Sequence, residues 1–261
     1  MSVRYVYLVV EGPHDVEFVG RLLKPHGFER VKRFEKLDAY WDRLVPKSFP
    51  HRGDLLRRVP VPIFFDSAEV SLAVHAAGGD SQLQEAVGDT LQGALPAPPD
   101  AVGIILDADS KLTPVERFNK LQTELNQLAL GLNLPAQSGA VSTGSPRCGI
   151  FVLPDNLNPG TLEDVLLECA ALNYPGLLTA AQSLVAQVQS NASSLTKEDM
   201  EEFLKPAGRK KATVASIVGV LKPGKAVQMS IQDNRWIEAQ ALSLPKIVTL
   251  RQFLKDLLAL P

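Results

Sequence analysis

The sequence has few cysteines, no excess of charge of one sign and no long apolar run, and each shortage excludes a class of protein. Its two cysteines, Cys148 and Cys169, form no CxxC pair, which excludes a zinc ribbon and indicates a reducing compartment. The net charge of −2 differs from the basic excess of proteins that wrap nucleic acid alone, so any such contact is local or is supplied by a partner. No run of about 18 apolar residues occurs and no signal peptide is evident, so we expect a cytoplasmic protein without membrane spans.

What the sequence does contain is a regular alternation of strand and helix patterns. Apolar runs predict strands at 5–10, 61–65, 70–76, 102–106 and 149–153, and apolar residues at helical spacing predict helices between them, including one over 34–45. This alternation indicates an α/β fold with a parallel or mixed sheet. The chain after residue 172 has helical patterns only. We therefore predict an α/β core over 1–172 and a helical extension over 173–261, packed on the core as one compact unit.

Two of the predicted strands lead directly into carboxylates. Glu11 and Asp15 follow the first strand, and Asp107 and Asp109 follow the strand at 102–106. Because ligands bind at the carboxyl ends of parallel strands, we expect these four side chains to lie together. Carboxylates at close range raise each other's pKa, and a divalent cation with oxygen ligands, Mg²⁺ or Mn²⁺, is the simplest neutraliser. The structural alternative is a helix-capping acid and a solvated aspartate-rich turn.

Four motifs, taken in order, resemble a known superfamily. The Glu-Gly-x-x-Asp at 11–15 and the Asp-x-Asp at 107–109 are similar to the motifs of TOPRIM domains, which occur in topoisomerases, bacterial primases, ribosomal-RNA maturases and OLD-family nucleases. Residues 149–167 resemble the "MPDN…PGxLED" signature of an uncharacterised TOPRIM-like family of bacteria and archaea. Residues 211–217, with Pro223 and Gly224, resemble the C-terminal helix pair of that family.

The resemblance implies a mainly parallel sheet of about four strands, sandwiched by helices. It implies an acid/base role for Glu11 and binding of Mg²⁺ by Asp107 and Asp109. In OLD-type nucleases a further acid in a downstream helix supports a second metal, and Glu163 matches that position, with Asp164 as a possible substitute. It further implies a partner ATPase and a role in phage defence.

Departures from the superfamily narrow the function. Residue 111 is Lys where some TOPRIM motifs carry a third acid, no separate domain presents a nucleophilic tyrosine, and two cysteines cannot build the zinc module of a primase. We therefore do not expect strand transfer or primer synthesis. Three hypotheses remain open: a metal-dependent nuclease, a non-catalytic module that binds metal, nucleotide or a partner, and an RNA-maturation enzyme.

Basic residues discriminate between these hypotheses. The nuclease hypothesis predicts that basic side chains flank the acidic residues, and the candidates are Arg52, Arg57, Arg58, Arg209, Lys210 and Lys211. The last three residues could bind phosphates, although a charge run at this spacing is usually the solvated start of a helix.

Overall fold

The computed structural model describes residues 3–47, 60–108, 112–190 and 195–261, and within these residues it contains one six-stranded mixed sheet. The strands are β1 (Arg4–Val10), β2 (Glu29–Arg30), β3 (Ile63–Asp66), β4 (Val70–Ala76), β5 (Ala101–Asp107) and β6 (Arg147–Leu153). Their spatial order is β2-β3-β4-β1-β5-β6. The strands β4, β1, β5 and β6 are mutually parallel, whereas β3 runs antiparallel to both of its neighbours.

The α/β class and the parallel centre of the sheet are thus as predicted, but the expected count of about four strands is wrong. Four is the number of adjacent parallel strands among the described residues. The sequence patterns predicted β3 in addition, and they missed β2, which has only two residues and no apolar pattern. A strand this short exists because its partner β3 supplies the hydrogen bonds, so its own sequence carries no periodicity.

Helices cover both faces of the sheet. In the described residues they are α1 (Pro13–Leu23), α2 (Leu83–Asp89), α3 (Pro114–Gln127), α4 (Leu162–Asn173), α5 (Pro175–Ser190), α6 (Lys197–Met200), α7 (Gly208–Leu221), α8 (Val227–Asp233) and α9 (Pro245–Leu258). The helices α1, α4, α7, α8 and α9 share one apolar core with one face of the sheet, while α2 and α3 share a second core with the other face.

Alternation along β1 shows how the two cores are separated. Val6, Leu8 and Val10 lie in the first core, and Tyr7 and Val9 lie in the second, and all five are fully buried. Successive side chains of a strand point to opposite faces of the sheet, and here both faces are buried. The strand therefore appears in the sequence as a continuous apolar run.

The helices after residue 172 contribute directly to the core. Helix α9 lies across β5 and β6, where two glycines allow a close approach. A Cβ atom at Gly103 would collide with Leu257, and a Cβ atom at Gly149 would lie 2.7 Å from the ring of Phe253. The first core therefore combines residues of β1 with residues of α9, so this face of the sheet is covered by the C-terminal helices.

The predicted helix over 34–45 is wrong. Two 3₁₀ segments, Phe34–Lys36 and Ala39–Leu44, occupy this region and are separated at Asp38. The Asp38 side chain accepts a hydrogen bond from the Tyr40 amide at 2.9 Å, and Trp41 is buried with its indole N–H donating to Ser71. A side chain that bonds to the backbone competes with helical hydrogen bonds, which accounts for the interruption.

The order of the strands defines where a ligand would bind. The chain passes from β1 to β4 on one side and then returns to β5 on the other side of β1. The carboxyl ends of β1 and β5 therefore flank the point where the winding direction changes, which is the usual ligand crevice of open α/β sheets.

Candidate functional site at the carboxyl edge of the sheet

Glu11 lies immediately after β1 at this crevice. Its backbone carbonyl accepts hydrogen bonds from the amides of Gly78 and Gly79, both at 3.0 Å, so the glycine pair after β4 closes a turn around it. Both glycines have positive φ angles, which a residue with a side chain rarely adopts. The Glu11 carboxylate accepts a hydrogen bond from the Asp107 amide at 2.8 Å, which brings the ends of β1 and β5 together.

Asp107, the last residue of β5, is held at three of its polar groups. Its amide donates to Glu11, and its carbonyl accepts from the Arg117 Nε at 3.1 Å. Its Oδ1 accepts from the amide of Leu162 at 2.9 Å, in the first turn of α4. The N-terminus of a helix favours a negative charge, so this contact stabilises the ionised carboxylate.

Asp15 and Glu163 extend the group of carboxylates. Burial, followed by the negative charges of Glu11 and Glu163, raises the pKa of Asp15 to about 7. The Asp15 carboxylate also accepts a hydrogen bond from the Gly12 amide at 2.9 Å, so it caps the start of α1 as well. We use the term acidic cluster for Glu11, Asp15, Asp107 and Glu163, which lie immediately after β1, in α1, at the end of β5 and in α4.

Basic side chains from the start of α7 lie beside the acidic cluster. Lys210 forms an ion pair at 2.7 Å with Asp164, which is the residue after Glu163. Burial lowers the pKa of His14, and this pKa also responds to the charges of Glu163 and Lys211, so both charges lie near His14. Arg209 is exposed, and within the described residues its guanidinium makes no recorded contact with the acidic cluster. Of the three predicted basic residues at the start of α7, Lys210 and Lys211 therefore lie beside the cluster.

Asp109 of the predicted set lies outside the described residues, as do Arg52, Arg57 and Arg58. Within residues 3–47, 60–108, 112–190 and 195–261, no three or more His, Cys, Asp or Glu side chains converge closely enough to hold a metal ion. The chemistry of these side chains suits Mg²⁺ or Mn²⁺, which prefer carboxylate oxygens. Burial, followed by the charges of Glu11 and Glu163, raises the pKa of Asp15, so Asp15 lies near both of these carboxylates. The two cysteines are buried, as expected for core residues.

The sequence patterns missed Arg117, the most buried cation at the site. Its guanidinium contacts Asp80 and lies 3.5 Å from Glu11, and its side chain is only 2% exposed. One feature of the sequence points to it, because Arg117 occupies the helical face of α3 that also carries Phe118, Leu121 and Leu125. A charged residue on an apolar face needs a buried partner.

Comparison with known proteins assigns a family. A family model described as "Protein of unknown function (DUF3226)" matches residues 5–259. The chain belongs to this family. The matched range includes both the acidic cluster and the C-terminal helices.

A solved structure shares the DUF3226 chain's fold over almost its whole length. It is the crystal structure of hypothetical protein PH0156 from Pyrococcus horikoshii OT3, with a TM-score of 0.55 and 18% identity, covering 99% of this chain and 96% of that one. No curated protein matches the chain. In the part of the chain that the structure describes, no helix has the length and apolar character needed to cross a bilayer.

Proposed function

We propose that the protein is a Mg²⁺-dependent (or Mn²⁺-dependent) phosphodiester-processing enzyme of the nuclease type, related to TOPRIM proteins and acting on DNA or RNA. The observation that carries the proposal is the hydrogen bond from the Asp107 amide to the Glu11 carboxylate at the crevice between β1 and β5, with Asp15 close enough for the charges of Glu11 and Glu163 to raise its pKa. These residues, together with Asp109, would hold the cation. A bound divalent cation would stabilise negative charge on the scissile phosphate and activate water.

The protein's own residues have distinct roles in this proposal. Glu11 accepts a proton from water or contributes an oxygen to the cation, since its carboxylate lies at the mouth of the crevice and is 19% exposed. The α4 N-terminus and the Leu162 amide orient Asp107. Lys210 and Lys211 lie at the edge of the acidic cluster, where they would contact substrate phosphates.

The net charge of −2 bears on how nucleic acid reaches the site. Two lysines at the edge of the acidic cluster give local contacts only, so we propose that a partner ATPase delivers the substrate, as the OLD-type resemblance implies. A role in phage defence rests on that resemblance alone.

A second candidate function is a non-catalytic TOPRIM-like module that binds metal, nucleotide or a partner protein. Internal contacts favour it, since Glu11 bonds to the Asp107 amide and faces Arg117, and Asp107 bonds to the Leu162 amide. An RNA-maturation enzyme would use the same residues but would require a groove that admits A-form RNA.

One titration distinguishes the two candidates. Mg²⁺ and Mn²⁺ are added to the wild type and to the Glu11→Gln/Asp107→Asn double variant, and binding is measured by calorimetry. The same proteins are tested for cleavage of a labelled mixture of DNA and RNA. Asp233→Asn is the matched control, because Asp233 is a carboxylate outside the acidic cluster that pairs with Lys222 at 2.8 Å.

We expect the wild type and the control to bind metal and cleave, and the double variant to do neither. Metal binding without cleavage by the wild type would favour the non-catalytic module or a requirement for the partner. If the wild type binds neither cation, the carboxylates are structural and the proposal is wrong.

A further inference from the structure

Arg117 is a buried cation whose guanidinium contacts Asp80 and two residues of the acidic cluster, Glu11 and Asp107. Its side chain is 2% exposed and lies on α3 beside the buried Phe118 and Leu121. A guanidinium removed from water is costly unless its donors are satisfied by acceptors with good geometry. The side chain therefore remains in place because of the acceptors around it.

Those acceptors come from three separate segments of the chain. The Nε atom donates to the Asp107 carbonyl of β5 at 3.1 Å. The Nη2 atom lies 3.5 Å from the Glu11 carboxylate, which follows β1, and it contacts the carboxylate of Asp80, which follows β4. One side chain thus connects the carboxyl ends of β1, β4 and β5.

Glu11 and Arg117 hold the main chain of Asp107 from opposite sides. The Asp107 amide donates to Glu11 at 2.8 Å, and the Asp107 carbonyl accepts from Arg117 at 3.1 Å. Arg117 also lies 3.5 Å from the Glu11 carboxylate, which accepts the hydrogen bond from the Asp107 amide. A change at residue 117 therefore affects the contacts of both the amide and the carbonyl of Asp107. The amide and the carbonyl of Asp107 are therefore both held by hydrogen bonds, which fixes the main chain that carries its side chain.

We propose that Arg117 is the positioning residue of the candidate metal site, fixing the orientation of Glu11 and the main chain of Asp107. This inference rests on the proposed function for its purpose, but its geometric content is independent of any metal. Arginine suits the role because its planar fork donates in several fixed directions, whereas the lysine ammonium is a compact point charge. Lysine at residue 117 would keep the charge and lose the simultaneous contacts.

The variant that tests this proposal is Arg117→Lys, because it retains a buried charge. Hydrogen exchange at the amides of Asp107 and Ile105 is followed by NMR without metal, and Mn²⁺ affinity is then measured by calorimetry. We expect exchange at Asp107 to accelerate by about tenfold relative to Ile105, and Mn²⁺ affinity to fall by about tenfold. Lys120→Met is the matched control, since Lys120 lies on α3 and reaches Asp80 at 3.9 Å without contacting Asp107.

A second variant covers the case in which Arg117→Lys fails to fold. Asp80→Ala removes the outer anchor of Arg117 and leaves Glu11 and Asp107 intact, and Asp80 is 41% exposed. We expect a smaller effect in the same direction, about threefold at the Asp107 amide, with no change in Lys120→Met.

The outcomes separate this inference from the proposed function. Equal acceleration at Ile105 and Asp107 would show a general loss of stability, and no change at Asp107 in either folded variant would show no positioning; both results would overturn the inference. If the wild type binds no metal, the proposed function fails, while the exchange data still decide whether Arg117 positions Asp107.

Discussion

The two sides of the acidic cluster differ in how their negative charge is balanced. On the side of α3, Glu11 faces the buried guanidinium of Arg117 at 3.5 Å. On the side of α4, burial and the nearby negative charges of Glu11 and Glu163 raise the pKa of Asp15. Among the described residues, no cation forms an ion pair with Asp15 or Glu163. Lys210 lies close to this side, but it pairs with Asp164.

The difference indicates a division of roles. The α3 side is balanced by the protein, which gives it a fixed geometry. The α4 side carries charge that is balanced by a proton on Asp15 below about pH 7 and would be balanced by a cation when one binds. The α3 side would hold its geometry, and the α4 side would exchange a proton for a ligand. This combination suits a site that binds a divalent cation.

The largest expected effect comes from removing the cation on the balanced side. Arg117→Met leaves the Glu11 carboxylate and the Asp107 carbonyl without their shared donor, so we expect the free energy of unfolding to fall by about 3 kcal/mol. Denaturant unfolding measures this loss. Lys210→Met, which breaks a more exposed pair, should cost less than about 1 kcal/mol. Equal losses in the two variants would contradict the division between the two sides.

The α4 side should make metal binding dependent on pH. Because the pKa of Asp15 is raised to about 7, a cation must displace its proton at lower pH. We expect Mn²⁺ affinity to fall by up to about tenfold for each pH unit below 7 and to be constant above it. Calorimetry at pH 5.5, 6.5 and 7.5 checks this, and Asp15→Asn should flatten the profile. Identical affinity at all three values would show that Asp15 takes no part.

The same carboxyl should also reduce stability when no metal is bound. Its pKa is raised in the folded state, so the unfolded chain loses the proton first, and stability declines as the pH rises from about 4 to about 7. Asp15→Asn removes this penalty while its amide oxygen can still accept from the Gly12 amide. We expect its melting temperature to exceed that of the wild type by roughly 2 to 4 °C at pH 8, with the difference vanishing near pH 4. If the melting temperature of Asp15→Asn were lower than that of the wild type at pH 8, the predicted direction of the pH dependence would be wrong.

The smallest expected effect concerns the lysines at the edge. Lys211→Gln should weaken nucleic-acid binding uniformly across sequences and reduce the slope of log affinity against log salt by about 0.9. Fluorescence anisotropy at several salt concentrations measures the slope. Lys225→Gln is the matched control, because Lys225 follows the other end of α7, and that end lies about 15 Å from Lys211 along the helix. Equal slopes for the two variants would remove Lys211 from the proposed interface.

The sequence predicted those parts of the site that depend on local pattern. A buried strand is an apolar run, and a carboxylate that follows it lies at the strand end, so the meeting of Glu11 with Asp107 followed from the parallel sheet alone. The approach of Glu163 was implied by resemblance, and its charge does act on Asp15 in the structure. The binding of a metal by these residues stays a prediction.

The remaining parts depend on contacts between residues that are distant in sequence. Arg117 and Asp80 are separated by two elements, and Lys210 meets Asp164 only when α7 packs beside α4. The helix predicted over 34–45 was wrong because the Asp38 side chain bonds to the Tyr40 amide and because Trp41 is buried with its indole N–H bonded to Ser71. Tertiary contacts can override helical periodicity, and a single sequence does not display them.

The placement of α9 has a consequence for folding kinetics. Gly103 of β5 and Leu257 of α9 are separated by about 150 residues in sequence, yet their contact closes one face of the sheet. Contacts between such distant residues require costly loop closure and slow the search for the native state. During translation, β5 is made long before α9, which packs against β5 and β6. Until α9 is made, the nascent chain would therefore leave the part of the sheet face around Gly103 and Gly149 uncovered.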